Sequence, residues 1–133
     1  MVRTVDTRFF LTQLLADSDT LRRKCRSMLA ELRREPALVP TVVLHEVYKL
    51  EYQRLGRETA EIDLRSIEQA GFRIVELDTA IAKSAAVLRC KYHNLPMADA
   101  IIAATAIEEG SSRVVSDDSH FSRMKEIRTE WIQ

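Results

Sequence analysis

The sequence predicts an α/β fold, with α/β/α layers around a central, mainly parallel sheet of four to five short strands. Three observations carry this expectation. Short apolar runs alternate with helical patterns along the chain. The joins between them are brief turns. Only three Gly and three Pro are present, too few for a barrel or sandwich built on tight turns. A chain of 133 residues is expected to form one domain, here spanning 1–133.

Val2 to Val5 is a short apolar-leaning run ending in Asp6, which predicts a first strand. Phe9, Phe10, Leu14 and Leu15 recur at helical spacing. Asp17-Ser18-Asp19 supplies a turn and an N-cap. A second helix follows, with Leu21, Cys25, Met28, Leu29 and Leu32 on one face and a basic opposite face. Pro36 ends it, and Ala37 to Val39 predicts a second strand. Pro40-Thr41 opens a third helix that runs to about Leu55, where Gly56 stops it. A fourth helix from about Glu58 to Ala70 carries Ile62 and Ile67 and is closed by Gly71. Phe72 to Leu77 predicts a third strand, with Phe72, Ile74 and Glu76 alternating against Arg73 and Val75.

Asp78 caps a fifth helix with Ile81, Ala85 and Leu88 on one face. Met97 to Glu109 is a sixth helix, apolar nearly all round and therefore expected to be buried. Arg113 to Ser116 predicts a fourth strand and Phe121 to Met124 a helical turn. Ile127 to Ile132 predicts a last, edge strand.

Composition limits the function. Twenty basic and twenty acidic side chains balance, so generic polyanion binding is excluded and any nucleic-acid contact must come from a local patch. The 46% hydrophobic fraction is that of a globular protein. No apolar run reaches the roughly 18 residues of a membrane span. Asp6 and Arg8 interrupt the first apolar stretch, against a signal peptide. Cys25 and Cys90 stand alone, with no metal spacing, and are expected to be buried thiols in a reducing cytoplasm.

Four groups of acids then stand out. In a parallel sheet, ligands bind beyond the carboxyl ends of the strands. Asp6 follows the first strand; Asp117 and Asp118 follow the fourth. Glu46 lies at the edge of the apolar arc of the third helix, beside Val42, Val43 and Leu50. Asp99 is an early charge in the most hydrophobic helix, where the helix dipole favours it. Singly, each acid can be a cap or a solvated carboxylate. Together they could meet at one end of the sheet. Several close carboxylates cannot all stay ionised without a cation, and hard divalent ions supply that charge.

These pieces resemble the PIN domain, and most closely the single-domain PIN proteins that act as VapC-type toxins. The matching residues are Val5-Asp6-Thr7, Glu46, Leu95-Pro96-Met97-Ala98-Asp99-Ala100-Ile101-Ile102-Ala103-Ala104, and Val114-Val115-Ser116-Asp117-Asp118 followed by Phe121. They span essentially the whole chain. The resemblance implies a metal-dependent endoribonuclease with catalytic Asp6, Glu46, Asp99 and Asp118. It implies Mg²⁺ or Mn²⁺ held by Asp6, Asp99 and Asp118, with Asp117 as the alternative or auxiliary acid. Thr7 and Ser116 match hydroxyl positions that orient the site. It further implies 5′-phosphate and 3′-hydroxyl products, a homodimer and a small antitoxin partner.

The remaining residues are less informative. Arg22, Arg23, Arg26 and Arg33 on the second helix could position RNA phosphates or simply form a solvated face. His45, His93 and His120 are scattered; His120 follows Asp118 closely and is the one to watch. Tyr48 and Tyr52, one turn apart, are expected against a neighbouring helix or a partner. Met97 and Met124 are expected to fill the core. A phospho-receiver module is disfavoured, because no central strand ends in a suitable acid and Lys125 lies off the strand. A PIN-fold processing or decay nuclease, or a silent interaction module, are the alternatives.

Overall fold

The computed structural model describes residues 2–111 and 113–132. Among these residues five strands form one sheet: β1 (Arg3–Val5), β2 (Ala37–Pro40), β3 (Arg73–Val75), β4 (Arg113–Val115) and β5 (Arg128–Glu130). Their order is β3-β2-β1-β4-β5 and all neighbours are parallel. Among the described residues seven helices flank the sheet: α1 (Thr7–Leu14), α2 (Asp19–Arg34), α3 (Thr41–Leu55), α4 (Arg57–Gln69), α5 (Thr79–Lys91), α6 (Met97–Glu108) and α7 (Ser119–Ser122).

Successive strand residues point to opposite faces. All four residues of β2 are buried, as are Val114 and Val115 of β4, so helices cover both faces of the sheet. The outer strands are marked by exposed Arg73 on β3 and Arg128 on β5, and charge on edge strands discourages further pairing. Buried residues Ala100 to Ala106 place α6 in the core, where it touches β1, β2 and β4. Small side chains let that helix lie close to the sheet.

Several expectations need correction. In the third strand Val75 is buried, because helices cover both faces of the sheet there, and Glu76 lies past the strand's end and is exposed. Ile62 lies 59% exposed on α4, whose inward contacts come from Ala60 and Ile67 instead. Met97 is 61% exposed, since it opens α6 at the rim of the sheet; Met124 does fill the core. Cys25 is buried but Cys90, near the end of α5, is exposed. Tyr48 behaves as expected, donating its hydroxyl to Glu61 of α4 at 2.9 Å.

One buried acid escaped sequence reasoning. Glu51 on α3 is 2% exposed and faces Asp63 of α4. Two carboxylates cannot donate to one another, so they bond only while the pair holds a proton. Burial, with Asp63 adding to it, pushes Glu51 up to about 8. Its folded value lies above that of the unfolded chain, so the stability it contributes is full at low pH and is lost as pH rises through about 8. Glu51→Gln keeps a donor for Asp63 without needing that proton. Thermal melts should show little difference from wild type at pH 5 and a gain of roughly 4 °C or more at pH 9.

Candidate active site at the carboxyl ends of the central strands

The sheet reverses its order at β1: β2 and β3 extend to one side, β4 and β5 to the other. Such a switch point opens a crevice at the carboxyl ends of the strands. Asp6 leaves β1 there and Ser116 leaves β4. Val5 pairs with Val115, so the two next residues sit side by side. Ser116 Oγ donates to Asp6 Oδ2 at 2.6 Å and accepts from the Asp118 backbone N–H at 3.0 Å. One hydroxyl therefore ties the two strand ends together.

Helices supply the other acids. Glu46, in the second turn of α3, accepts from Thr7 Oγ1 at 2.5 Å, which links it to the residue after Asp6. Among the described residues this hydroxyl is its hydrogen-bond partner. Asp99 lies in the first turn of α6 behind Pro96, where the helix dipole favours a carboxylate. Asp118 caps α7, accepting from the His120 backbone N–H at 2.9 Å.

The charges register each other. Asp6 is 2% exposed, and burial pushes it up to about 6; the Ser116 hydrogen bond opposes this and Glu46 adds to it. Burial, then Asp118 and Asp6, push Asp99 up to about 7, while His120 opposes them. Asp99, Asp118 and His120 each offer a ligand atom, all within 4.8 Å of one another. His120 Nδ1 lies 2.9 Å from Asp118 Oδ1 and 3.2 Å from Asp99 Oδ2. That nitrogen is sealed from solvent yet aligned for a hydrogen bond with neither oxygen. A sealed nitrogen that faces two carboxylate oxygens and is aligned with neither, among acids whose crowding raises their affinity for positive charge, fits a divalent cation.

The structure separates the two adjacent acids of the last motif. Asp118 turns toward Asp99, whereas Asp117 pairs with the guanidinium of Arg8 through two nitrogens. In the sequence Arg8 reads only as a charge that breaks the first apolar stretch; a pairing across more than a hundred residues is not legible there. On α2, Arg22, Arg23, Arg26 and Arg33 are exposed, and Arg22 pairs with Asp19 at 2.9 Å. Glu31, near the end of the same helix, lies 3.9 Å from Arg3 at the first residue of β1. A groove of about 470 Å³ does run beside the site, lined by Thr7, Val42, Glu46, Lys49, Met97 and neighbouring residues.

The sequence matches the PIN domain family over residues 4–127, and the chain belongs to that family. No curated protein matches it in sequence. Its fold is similar to that in the DNA-bound VapBC structure from Salmonella typhimurium (TM-score 0.82, 18% identity, 98% of each chain covered). It is also similar to VapBC2 from Rickettsia felis bound to a promoter DNA fragment (0.79, 17%, 100% of each chain). A third similar structure is VapC20 from Mycobacterium tuberculosis, a sarcin–ricin loop cleaving toxin (0.74, 19%, 95% of this chain and 98% of that one). At these identities the likeness establishes the fold.

The raised values at Asp6 and Asp99 predict a pH response. For both acids the folded value exceeds the unfolded one, so the metal-free protein loses their contribution as pH rises through about 6 and about 7. Its melting temperature should fall from pH 5 to pH 8, and added Mn²⁺ should raise it more at pH 8 than at pH 5. Titration calorimetry at pH 6 in buffers of different ionisation enthalpy should detect release of on the order of one proton per ion.

Proposed function

We propose that the protein is a metal-dependent endoribonuclease and the toxin of a toxin–antitoxin pair. The observation that carries this reading is the convergence of Asp6, Glu46, Asp99 and Asp118 on one crevice from four separate elements. PIN family membership and the fold shared with VapC proteins support the toxin role.

Asp6, Asp99 and Asp118 hold Mg²⁺ or Mn²⁺; Asp117, engaged by Arg8, does not. Held by these acids, the ion would supply positive charge to the scissile phosphate and lower the pKa of water, so that it can be deprotonated near neutral pH. Ser116 fixes one oxygen of Asp6, which leaves the other free to serve as a ligand. Thr7 likewise holds one oxygen of Glu46 and leaves its second oxygen to take the proton of the attacking water. Water adds to phosphorus and the bond to the 3′ oxygen breaks. The products carry a 5′-phosphate and a 3′-hydroxyl.

The groove beside Glu46 offers a path for single-stranded RNA, with Lys49 available to a phosphate. Exposed Tyr52, Leu55 and Ile62 on α3 and α4 support a homodimer. Among the described residues no helix is long and apolar enough to cross a membrane, which fits cytoplasmic action. The partner is a small antitoxin that silences the site.

Cleavage of structured and single-stranded RNA should require Mg²⁺ or Mn²⁺ and stop with EDTA. Asp6→Asn, Asp99→Asn and Asp118→Asn should abolish it in proteins that melt like wild type. Glu46→Gln should slow it by about 10²- to 10⁴-fold, whereas Asp117→Asn should retain activity within about threefold, because Asp117 holds Arg8 rather than the ion. Ser116→Ala should weaken Mn²⁺ binding by about 10- to 100-fold. Absence of RNA cleavage by a folded protein that binds Mn²⁺ would refute the ribonuclease assignment. Expression should arrest growth and the neighbouring gene's product should relieve it; cleavage without arrest would point to RNA processing or decay.

A further inference from the structure

We propose that His120 is a protein ligand of this metal centre through Nδ1, making it a mixed nitrogen–oxygen site that prefers Mn²⁺ or Co²⁺ to Mg²⁺. The inference rests on the metal-dependent reading of the same carboxylates.

The argument starts from local folding. Asp118 caps α7 by accepting the His120 N–H, and the next residue, Phe121, is fully buried. The backbone of His120 is thus held between a cap and an anchor. Its ring lies over the crevice with one edge sealed and the remainder exposed, the side chain being 37% accessible. The sealed edge carries Nδ1.

The distances are those of ligands around one ion. Two donors about 2.1–2.2 Å from an ion and at right angles to one another are about 3.0 Å apart. Nδ1 is 2.9 Å from Asp118 Oδ1 and 3.2 Å from Asp99 Oδ2. Neither carboxylate oxygen is aligned to accept a ring N–H from Nδ1. A lone pair facing two carboxylates is repelled by both, unless a cation lies between them. The open face of the ring leaves Nε2 able to carry the proton, which frees Nδ1 as a ligand.

The chemistry then separates metals. Carboxylate and water oxygens suit Mg²⁺, whereas imidazole nitrogen adds affinity for the later divalent ions. A site of Asp6, Asp99 and Asp118 alone would discriminate weakly; His120 shifts it toward Mn²⁺ and Co²⁺. His45, which lines the adjacent groove next to Glu46, is the control histidine.

The test is pulsed electron paramagnetic resonance of the full chain loaded with Mn²⁺, read for coupling to ¹⁴N, together with calorimetric affinities for Mn²⁺ and Mg²⁺. Wild type and His45→Gln should show ¹⁴N coupling, and His120→Gln should lose it. His120→Gln should bind Mn²⁺ at least about tenfold more weakly, with a smaller change for Mg²⁺. His120→Asp, which returns an oxygen at the same place, should recover Mn²⁺ binding without ¹⁴N coupling and narrow the Mn²⁺-to-Mg²⁺ ratio. Melting curves verify that each variant folds. Mn²⁺ bound by wild type without ¹⁴N coupling, or coupling that survives in either His120 variant, overturns the assignment of His120 and leaves the carboxylate centre standing. Failure of wild type to bind Mn²⁺ overturns the carboxylate centre itself, and the assignment of His120 with it.

Discussion

Val5 and Val115 lie opposite one another on adjacent parallel strands, and the geometry of the site descends from that register. Because both strands end there, the residues that follow them enter the same crevice. A one-residue slip would turn Asp6 or Ser116 to the other face. The hydroxyl of Ser116 then bridges Asp6 and the Asp118 backbone, turning two strand ends into one rigid platform. Thr7 extends it to Glu46 on α3. A chain of hydrogen bonds thus crosses elements that are up to 112 positions apart, from Asp6 to Asp118.

The same repulsion between carboxylates is handled in three ways within this small molecule. Between α3 and α4, burial and then the neighbouring Asp63 push Glu51 up to about 8, so that this acid holds its own proton at neutral pH. At the rim, Asp117 is neutralised by Arg8, an exposed pair that lends little stability but decides where that acid points. In the crevice, Asp6 and Asp99 have neither arrangement. They are left poised near neutrality, where a cation can replace a proton. Burial of acids is a cost to folding, and here it coincides with a concave surface and a sealed imidazole nitrogen that faces two of them.

Much of this was legible in one dimension. Alternating apolar runs and helical periods located every strand and helix, since each period reflects which face meets the core. The apolar sweep from Ala100 to Ala106 marked α6 as buried, and Asp99 stood out against it. Errors fell where one residue's surroundings come from elsewhere in the chain. Met97 reads as apolar filler, yet the start of α6 emerges at the rim. Ile62 reads as apolar, yet it lies about 140° round α4 from buried Ile67 and faces outward. Glu51 has the look of a solvated helix acid; only the packing of α4 on α3 buries it.

The sequence by itself determined the alternation of strands and helices, the burial of α6, and the residue types able to bind a cation at the ends of strands. These depend on local pattern and side-chain chemistry, which a linear chain carries in full. Only the tertiary structure decided that Asp118 rather than Asp117 faces Asp99, that Arg8 takes the other acid, and that His120 Nδ1 reaches both Asp118 and Asp99. Those outcomes depend on angstrom-scale distances between side chains on separate elements, and such distances exist only once the sheet register and the helix packing have been set.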